Sequence, residues 1–184
     1  MPFVRCVARR VVEEMRALPG ARAAATSWTS PVGRSSWNEL LKVDGFTPKS
    51  EDDAVVWANA VSDGYFSTLG IPMVAGRDFD SRETSTPAKV AIISAEMARK
   101  FFGSPDVIGR RFQFQDGKDW TDPIEVIGVV GNTKYQSLRD SAQSIMYFPA
   151  VQRAPTTEEM ELVVRTGGAP LALVPAVRTL LDPS

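Results

Sequence analysis

Histidine is absent from this chain of 184 residues, and cysteine occurs once, as Cys6. Without histidine the chain lacks the most common general base and the most common zinc ligand of proteins. A single thiol forms no disulfide within the chain, no CxxC motif and no thiolate cage for a metal. These shortages disfavour the commonest hydrolase and metalloenzyme classes, and they leave the cellular compartment open.

Long hydrophobic runs and an excess of charge are also missing. No segment reaches the roughly 18–20 apolar residues of a membrane span, and the arginines in "MPFVRCVARRVV" are not typical of a signal peptide. The formal net charge is −1, which gives no strong attraction to nucleic acid or anionic lipid. We therefore expect one domain of a longer protein, with no nucleic-acid partner.

The periodicity of apolar residues predicts both helices and strands. Helices are predicted at 4–18, at 63–69 with a cap at Ser62 and Asp63, after Ser94 as far as Gly103, and at 169–181. Residues 47–53 are predicted to be a polar loop, and 39–46 are ambiguous, with strand favoured by the Asp44-Gly45 turn signal. The other predicted strands lie at 21–29, 54–62, 90–93 and 110–114, from 124, and in "SIMYFPA" and "MELVVRT".

The order of these elements predicts an α+β fold with two subdomains. A helix and a strand open the chain, and a strand and a helix close it. We expect residues 1–32 and 156–184 to join into one α/β subdomain. Residues 33–155 would then form an inserted, strand-rich subdomain with short helices.

Candidate chemical motifs are weak. "GVVGN" at 128–132 lacks the third glycine and the Lys-Ser/Thr pair of phosphate-binding loops, so we interpret it as a turn at the end of a strand. A hydrolase would have to use Asp78, Asp80 or Glu83. The simpler interpretation is a solvated turn in which Asp78 caps nearby backbone amides.

Tryptophans are candidates for an interaction surface. Trp57 lies within a predicted strand and is expected in the core, whereas Trp37 and Trp120 lie near loops. Convergence of these three rings on one cleft would favour an extracytoplasmic ligand- or substrate-binding module.

One ordered set of segments resembles a known family. "YFSTLGIPMVAGRDF", which begins at Tyr65, resembles the signature of the MacB-like periplasmic core domain in permeases of the MacB/FtsX/lipoprotein-release class of ABC transporters. "KVAIISAEMARKFFG", "VIGRRF", "IEVIGVVGNTKYQSLRD", "MYFPA" and "LVVRT" follow in the family's order, so the resemblance covers nearly the whole chain. "GNTKYQSLRD" and "YFPAVQ" look most similar to the orphan permeases of soil bacteria such as acidobacteria.

The signature residues suit an architectural role. Tyr65 and Phe66 would form the apolar side of a short helix, and Gly70 its left-handed end. Arg77 can bridge to carbonyls or to an acid, and Phe79 can anchor the loop. The full set of signature residues is Tyr65, Phe66, Gly70, Pro72, Gly76, Arg77, Phe79, Gly109 and Gly128.

The resemblance implies a noncatalytic, cofactor-free domain on the periplasmic side of the bacterial inner membrane. It implies the permease's own transmembrane helices, a second permease copy, a cytoplasmic ATPase subunit and a periplasmic adaptor as partners. Coupling of ATP hydrolysis to a periplasmic conformational change, for export or mechanotransmission, would be its role. In the family the α/β part is porter-like and carries further strands, so we expect an open sheet edge here.

Overall fold

The computed structural model describes residues 2–29, 37–80, 82–85, 88–133, 142–153 and 160–181. Its helices are α1 (Pro2–Ala17), α2 (Glu51–Ala54), α3 (Tyr65–Leu69), α4 (Arg82–Ser85), α5 (Ala95–Phe102) and α6 (Val174–Leu181), with a 3₁₀ turn (Pro170–Leu173) before α6. Its strands are β1 (Ala21–Ser27), β2 (Asn38–Lys42), β3 (Val55–Val61), β4 (Met73–Gly76), β5 (Val90–Ser94), β6 (Arg111–Asp116), β7 (Asp119–Trp120), β8 (Ile124–Val130), β9 (Ile145–Pro149) and β10 (Glu161–Thr166).

Six strands pair in a closed ring, in the order β3-β2-β6-β8-β5-β9 and back to β3. The closing pair, β3 with β9, is parallel and runs from Trp57↔Ile145 to Val61↔Pro149. β4 adds to β8, and β7 adds to β6. Because ring closure removes strand edges, we describe this part as a small barrel.

Successive side chains along a strand point to opposite faces, and here they belong to two different hydrophobic clusters. Ala91 and Ile93 belong to an inner cluster, to which all six strands of the ring contribute. Ile92, between them, belongs to an outer cluster that contains Tyr65, Phe66 and Tyr147. The barrel therefore has a core of its own, and α3 packs against its outer side.

The two chain ends form a second layer, which we call the chain-end layer: α1, β1, β10 and α6. Its buried cluster contains only Val12, Met15 and Ala24 in the described ranges, with larger residues partly buried around them. β10 pairs with β1, and β1 meets β3 through the pair Ser27↔Val61. Among the described residues β10 has no second strand partner, as expected for an open edge. The subdomain boundaries at 32/33 and 155/156 remain predictions.

The predicted α+β class is confirmed, and so are most of the elements. Ser94 caps α5, where its hydroxyl accepts the Met97 N–H at 3.2 Å, and Gly103 ends that helix with φ +65°. The polar loop at 47–53 was a wrong prediction in part, because α2 begins at Glu51. Three acidic residues in its first turn complement the helix dipole and favour that short helix. The last predicted helix begins as a 3₁₀ turn, with Pro170 at its start.

Candidate functional site

Helix α3, the first part of the signature stretch, is held by aromatic contacts. Tyr65 and Phe66 are fully buried. The Phe66 ring meets the edge of Tyr147 of β9, with centroids 5.0 Å apart, and lies 6.3 Å from the ring of Phe79. The aromatic pair therefore fixes α3 against the barrel.

The end of α3 agrees with the sequence prediction, but its start does not. Gly70 has φ +73°, and the Ile71 N–H donates to the Phe66 carbonyl at 2.8 Å, which gives the left-handed helix end. The predicted cap at Ser62 and Asp63 is wrong: α3 follows Gly64, without a side-chain cap. The Ser62 hydroxyl instead accepts the Thr26 N–H of β1 at 3.0 Å.

Two arginines of the chain-end layer reach backbone carbonyls near the two ends of α3. Arg165 of β10 donates from Nε to the Thr68 carbonyl at 2.8 Å. Arg16 of α1 donates from Nη2 to the Asp63 carbonyl at 3.0 Å, and from Nε to the Ala24 carbonyl at 3.0 Å. We call these four residues, Arg16, Asp63, Thr68 and Arg165, the joint.

Glycines leave room for both guanidinium groups of the joint. A Cβ on Gly64 would lie 3.1 Å from Arg16 Nη2, and a Cβ on Gly70 would lie 2.7 Å from Arg165 Nη2. Both glycines also have positive φ, which disfavours other residues. Gly70 therefore both ends α3 and admits the arginine that connects α3 to β10.

The next signature glycines allow backbones to approach closely. Gly76 of β4 pairs with Gly128 of β8. A Cβ on Gly76 would overlap the Ile127 carbonyl oxygen, and a Cβ on Gly128 would lie 2.6 Å from the Arg77 carbonyl oxygen. Pro72 packs over Gly131, where a Cβ would lie 3.0 Å from the proline Cγ, and Gly109 has φ +80° in the turn before β6.

Arg77, in the loop that follows β4, forms an ion pair with Glu83 of α4. Arg77 Nη2 donates to Glu83 Oε1 at 2.7 Å, and the Glu83 side chain is only 1% exposed. Glu83 Oε2 accepts the Asp80 N–H at 2.6 Å, and Arg77 Nη1 donates to the Asp78 carbonyl at 3.1 Å. The loop therefore closes around a buried carboxylate, with Phe79 buried beside it.

The carboxylates of the hydrolase hypothesis all have local structural partners. Asp78 accepts the Phe79 N–H at 2.7 Å, and burial raises the pKa of Asp78. Asp80 accepts from the Arg82 side chain and backbone, which lowers the pKa of Asp80. In the described ranges, no three or more acidic or cysteine side chains are grouped as a metal site.

The three tryptophans do not share a cleft. Trp37 is half-buried against the inner cluster, Trp57 packs against the outer cluster, and Trp120 is 44% exposed beside Lys42. This arrangement does not favour a binding module built from these three rings. The role of Trp37 and Trp120 as an interaction surface remains a prediction.

With this geometry established, comparison with known proteins assigns the family. The family model described as "MacB-like periplasmic core domain" matches residues 7–180. The chain belongs to this family. The uncharacterized ABC transporter permease YknZ of Bacillus subtilis (strain 168) is 26% identical over 144 residues, which is 74% of this chain and 34% of YknZ. The chain therefore spans about a third of the length of that permease.

Solved structures of MacB-like domains share the fold. The periplasmic region of MacB from Actinobacillus actinomycetemcomitans superimposes with a TM-score of 0.65 at 13% identity, over 95% of this chain and 72% of that one. The extracellular domain of the noncanonic ABC-type transporter YknZ from Gram-positive bacteria gives 0.59 at 19% identity, over 92% and 77%. In the part of the MacB-like chain that the structure describes, no helix is long and apolar enough to cross a bilayer.

Sequence reasoning missed the joint. Arg16 and Asp63 are 47 residues apart, and Thr68 and Arg165 are 97 residues apart. No local motif marks either pair, and each arginine lies in an element that was interpreted only as part of a helix or strand. The glycines opposite these arginines are the local feature that could have indicated a close approach, but Gly70 was interpreted only as a helix end.

Proposed function

We propose that this MacB-like domain is a noncatalytic extracytoplasmic part of an ABC transporter permease. It couples ATP hydrolysis at a cytoplasmic ATPase subunit to a conformational change outside the membrane, for export or mechanotransmission. Its location is the outer side of the bacterial cytoplasmic membrane. Its partners are the permease's own transmembrane helices, a second permease copy and, in a tripartite assembly, a periplasmic adaptor.

The joint is the observation that carries the mechanical part of this proposal. The chain-end layer is hydrogen-bonded to α3 by arginine side chains that reach backbone carbonyls, and of the layer's described residues only Ala25 and Val163 pack against the outer cluster. By contrast, α3 meets the barrel through buried aromatic rings. Hydrogen bonds of this kind are directional and exchange readily with water. We infer that the orientation of the layer on the barrel changes at the joint while each part keeps its own core.

The described acidic residues support a role without catalysis. Arg77 binds the buried carboxylate of Glu83, and Arg82 binds the exposed carboxylate of Asp80. Asp78 accepts from its neighbouring backbone. These groups stabilise the loop after β4, and that structural use accounts for their positions without a substrate.

Location is tested by labelling in whole cells. In the full-length permease with Cys6→Ser, we expect Lys118→Cys, in the turn between β6 and β7, to react with a membrane-impermeant maleimide once the outer membrane is permeabilised. The same protein after lysis gives the total labelling. Reaction only after lysis would place the domain in the cytoplasm and contradict the proposal.

Coupling is tested by distance measurements on the full-length permease together with its ATPase. Spin labels at Lys118→Cys in two permease copies should report a distance that changes between nucleotide-free and ATP-bound states. We expect the combined change Arg16→Met and Arg165→Met to reduce that shift, and Arg178→Met, an exposed arginine on α6, to preserve it. An identical distance in both nucleotide states would overturn the coupling role.

A further inference from the structure

One mouth of the barrel opens into a cleft. The strands β6 and β9 end there, and β5 and β8 begin there. The cleft has a volume of about 350 Å³, with Phe114 and Phe148 among its lining residues and Arg153 at its rim. Ligand sites of proteins often occupy the mouths of barrels and have volumes of roughly 300–1,000 Å³.

Arg153 lies over aromatic rings at this mouth. Its guanidinium carbon is 4.5 Å from the ring centroids of both Trp37 and Phe114, and 5.6 Å from that of Phe148. The preceding residue, Gln152, fixes the turn, since its amide donates to the Ala88 carbonyl at 2.9 Å and accepts the Val90 N–H at 3.3 Å. The position of the guanidinium is therefore set before any ligand arrives.

The guanidinium has unused hydrogen-bonding capacity. Its side chain is 27% exposed, and it is paired with Asp116 at a distance of 3.8 Å between Nη2 and Oδ2, which is too long for a hydrogen bond. Glu39 also faces this cation, but the Glu39 carboxylate already accepts the Trp37 indole N–H at 2.6 Å. Within the described ranges, neither Arg153 nor Asp116 has a side-chain hydrogen bond to the other or to a third group.

Both signs of charge surround the cleft. Lys89 and Arg153 are cationic, whereas Asp116 and Asp122 are anionic, so the lining residues carry no net charge. A simple anion would be repelled by the two aspartates, and a simple cation would be repelled by Lys89 and Arg153. A zwitterion complements both, because a carboxylate fits the fork of a guanidinium and an ammonium fits a carboxylate.

We propose that this barrel mouth binds a free α-amino acid with an apolar side chain. Its carboxylate pairs with Arg153, its ammonium pairs with Asp116, and its side chain lies against the apolar lining of the cleft. The site goes beyond the mechanical role, because it gives the domain a small-molecule ligand of its own. Because Arg153 lies over the Trp37 ring, binding of a carboxylate to Arg153 should change the fluorescence of Trp37.

The test is a ligand titration of the 184-residue chain, in which binding is measured by thermal unfolding and by tryptophan fluorescence. L-leucine at about ten times its Kd should raise Tm by roughly 3–6 °C. Isovalerate, which lacks the ammonium, and isoamylamine, which lacks the carboxylate, should bind at least about tenfold more weakly. Absence of any shift at about 10 mM L-leucine or L-phenylalanine, or equal binding by a singly charged analogue, would overturn the proposal.

Variants assign the binding to the cleft. Arg153→Gln and Asp116→Asn should each abolish the Tm shift with L-leucine. Arg110→Gln is the matched control, since Arg110 also lies over a ring, that of Phe102 at 5.4 Å, but outside the cleft. Asp116 is exposed, so its variant remains informative even if Arg153→Gln does not fold. An undiminished shift in Asp116→Asn would exclude the ammonium contact and with it the proposed ligand class.

Discussion

The barrel and the chain-end layer are stabilised by different means. The inner cluster of the barrel contains bulky buried side chains such as Phe112, Phe114 and Ile93, to which every strand of the ring contributes. The layer has Val12, Met15 and Ala24 as its buried cluster, and α6 buries none of its residues in the described ranges. Apolar burial stabilises a fold by about 25 cal/mol per Å², so the barrel should unfold last and the layer should open first.

The difference makes the joint important for the layer and nearly irrelevant to the barrel. β1 meets β3 through one register pair and two flanking backbone hydrogen bonds, from Trp28 to Ala60 and from Ser62 to Thr26. The arginine contacts to α3 supplement this short connection. A change in the barrel should therefore lower the stability of the whole domain. A change in the joint should loosen the layer alone.

The largest effect is expected for Gly76→Ala. A Cβ there overlaps the Ile127 carbonyl and lies 2.8 Å from the Gly128 Cα, at a φ of +72°. We expect a loss of roughly 3–5 kcal/mol in the free energy of unfolding, from backbone strain and overpacking together. Urea unfolding measures it. Gly117→Ala is the matched control, because its φ is +66° but no atom lies within 4 Å, and a similar loss in both variants would exclude the close approach.

The next effect is expected for Arg77→Met, which leaves Glu83 buried without its cation. The free energy of unfolding should fall by roughly 2–4 kcal/mol, less than for a fully buried pair because Arg77 is partly exposed. The double variant Arg77→Met, Glu83→Met should lose less than the single variant, since no uncompensated charge remains. If the single variant loses less than the double variant in urea unfolding, the ion pair does not stabilise the loop.

Arg165→Met should destabilise the chain-end layer without destabilising the barrel. It removes the bond to the Thr68 carbonyl and should cost roughly 1–2 kcal/mol. Hydrogen exchange should become faster for amides of β1 and β10 and stay unchanged for β5 and β9. Arg178→Met, in the same layer, is the control and should leave both rates unaltered. Equal acceleration in the barrel would show that the two regions open together.

The smallest effect concerns Asp78 and pH. Burial raises the pKa of Asp78, so between its ordinary and its raised pKa the folded state binds more protons than the unfolded state. This contribution to stability therefore falls as pH rises through that window. Asp78→Asn keeps an acceptor for the Phe79 N–H, and it should gain stability relative to the parent chain as pH increases from about 4 to about 7. A difference that does not vary with pH would contradict this.

Much of the fold was predictable because its signals are local. Ser94 and Gly103 bound α5 through contacts within the helix itself, and Phe112 and Phe114 alternate with more exposed neighbours along β6. Gly70 was recognised as a helix end for the same reason. The closed ring was not predictable, since nothing in β3 or β9 alone specifies that they pair.

The candidate sites depend on contacts across the chain. Arg165 contacts Thr68, and Arg153 contacts Trp37 and Phe114, although these residues are far apart in the sequence. The periodicity of apolar residues gives no information about such distant contacts. The Ser62 cap was predicted wrongly for a related reason, because the Ser62 hydroxyl accepts a hydrogen bond from the distant strand β1 instead. The sequence thus predicted the helix end at Gly70, but it did not identify the distant partners of the joint or of the barrel mouth.

The closed ring also sets the order in which the chain can fold. Its closing pair joins β3 at Val61 to β9 at Pro149, so residue 149 must be synthesised before the barrel can exist. Until then β3 and the other early strands expose unpaired edges, and the long loop between the partners slows closure. The barrel of a nascent chain can therefore close only late in synthesis. Chaperones that prevent earlier, incorrect strand pairing should increase the yield of folded domain.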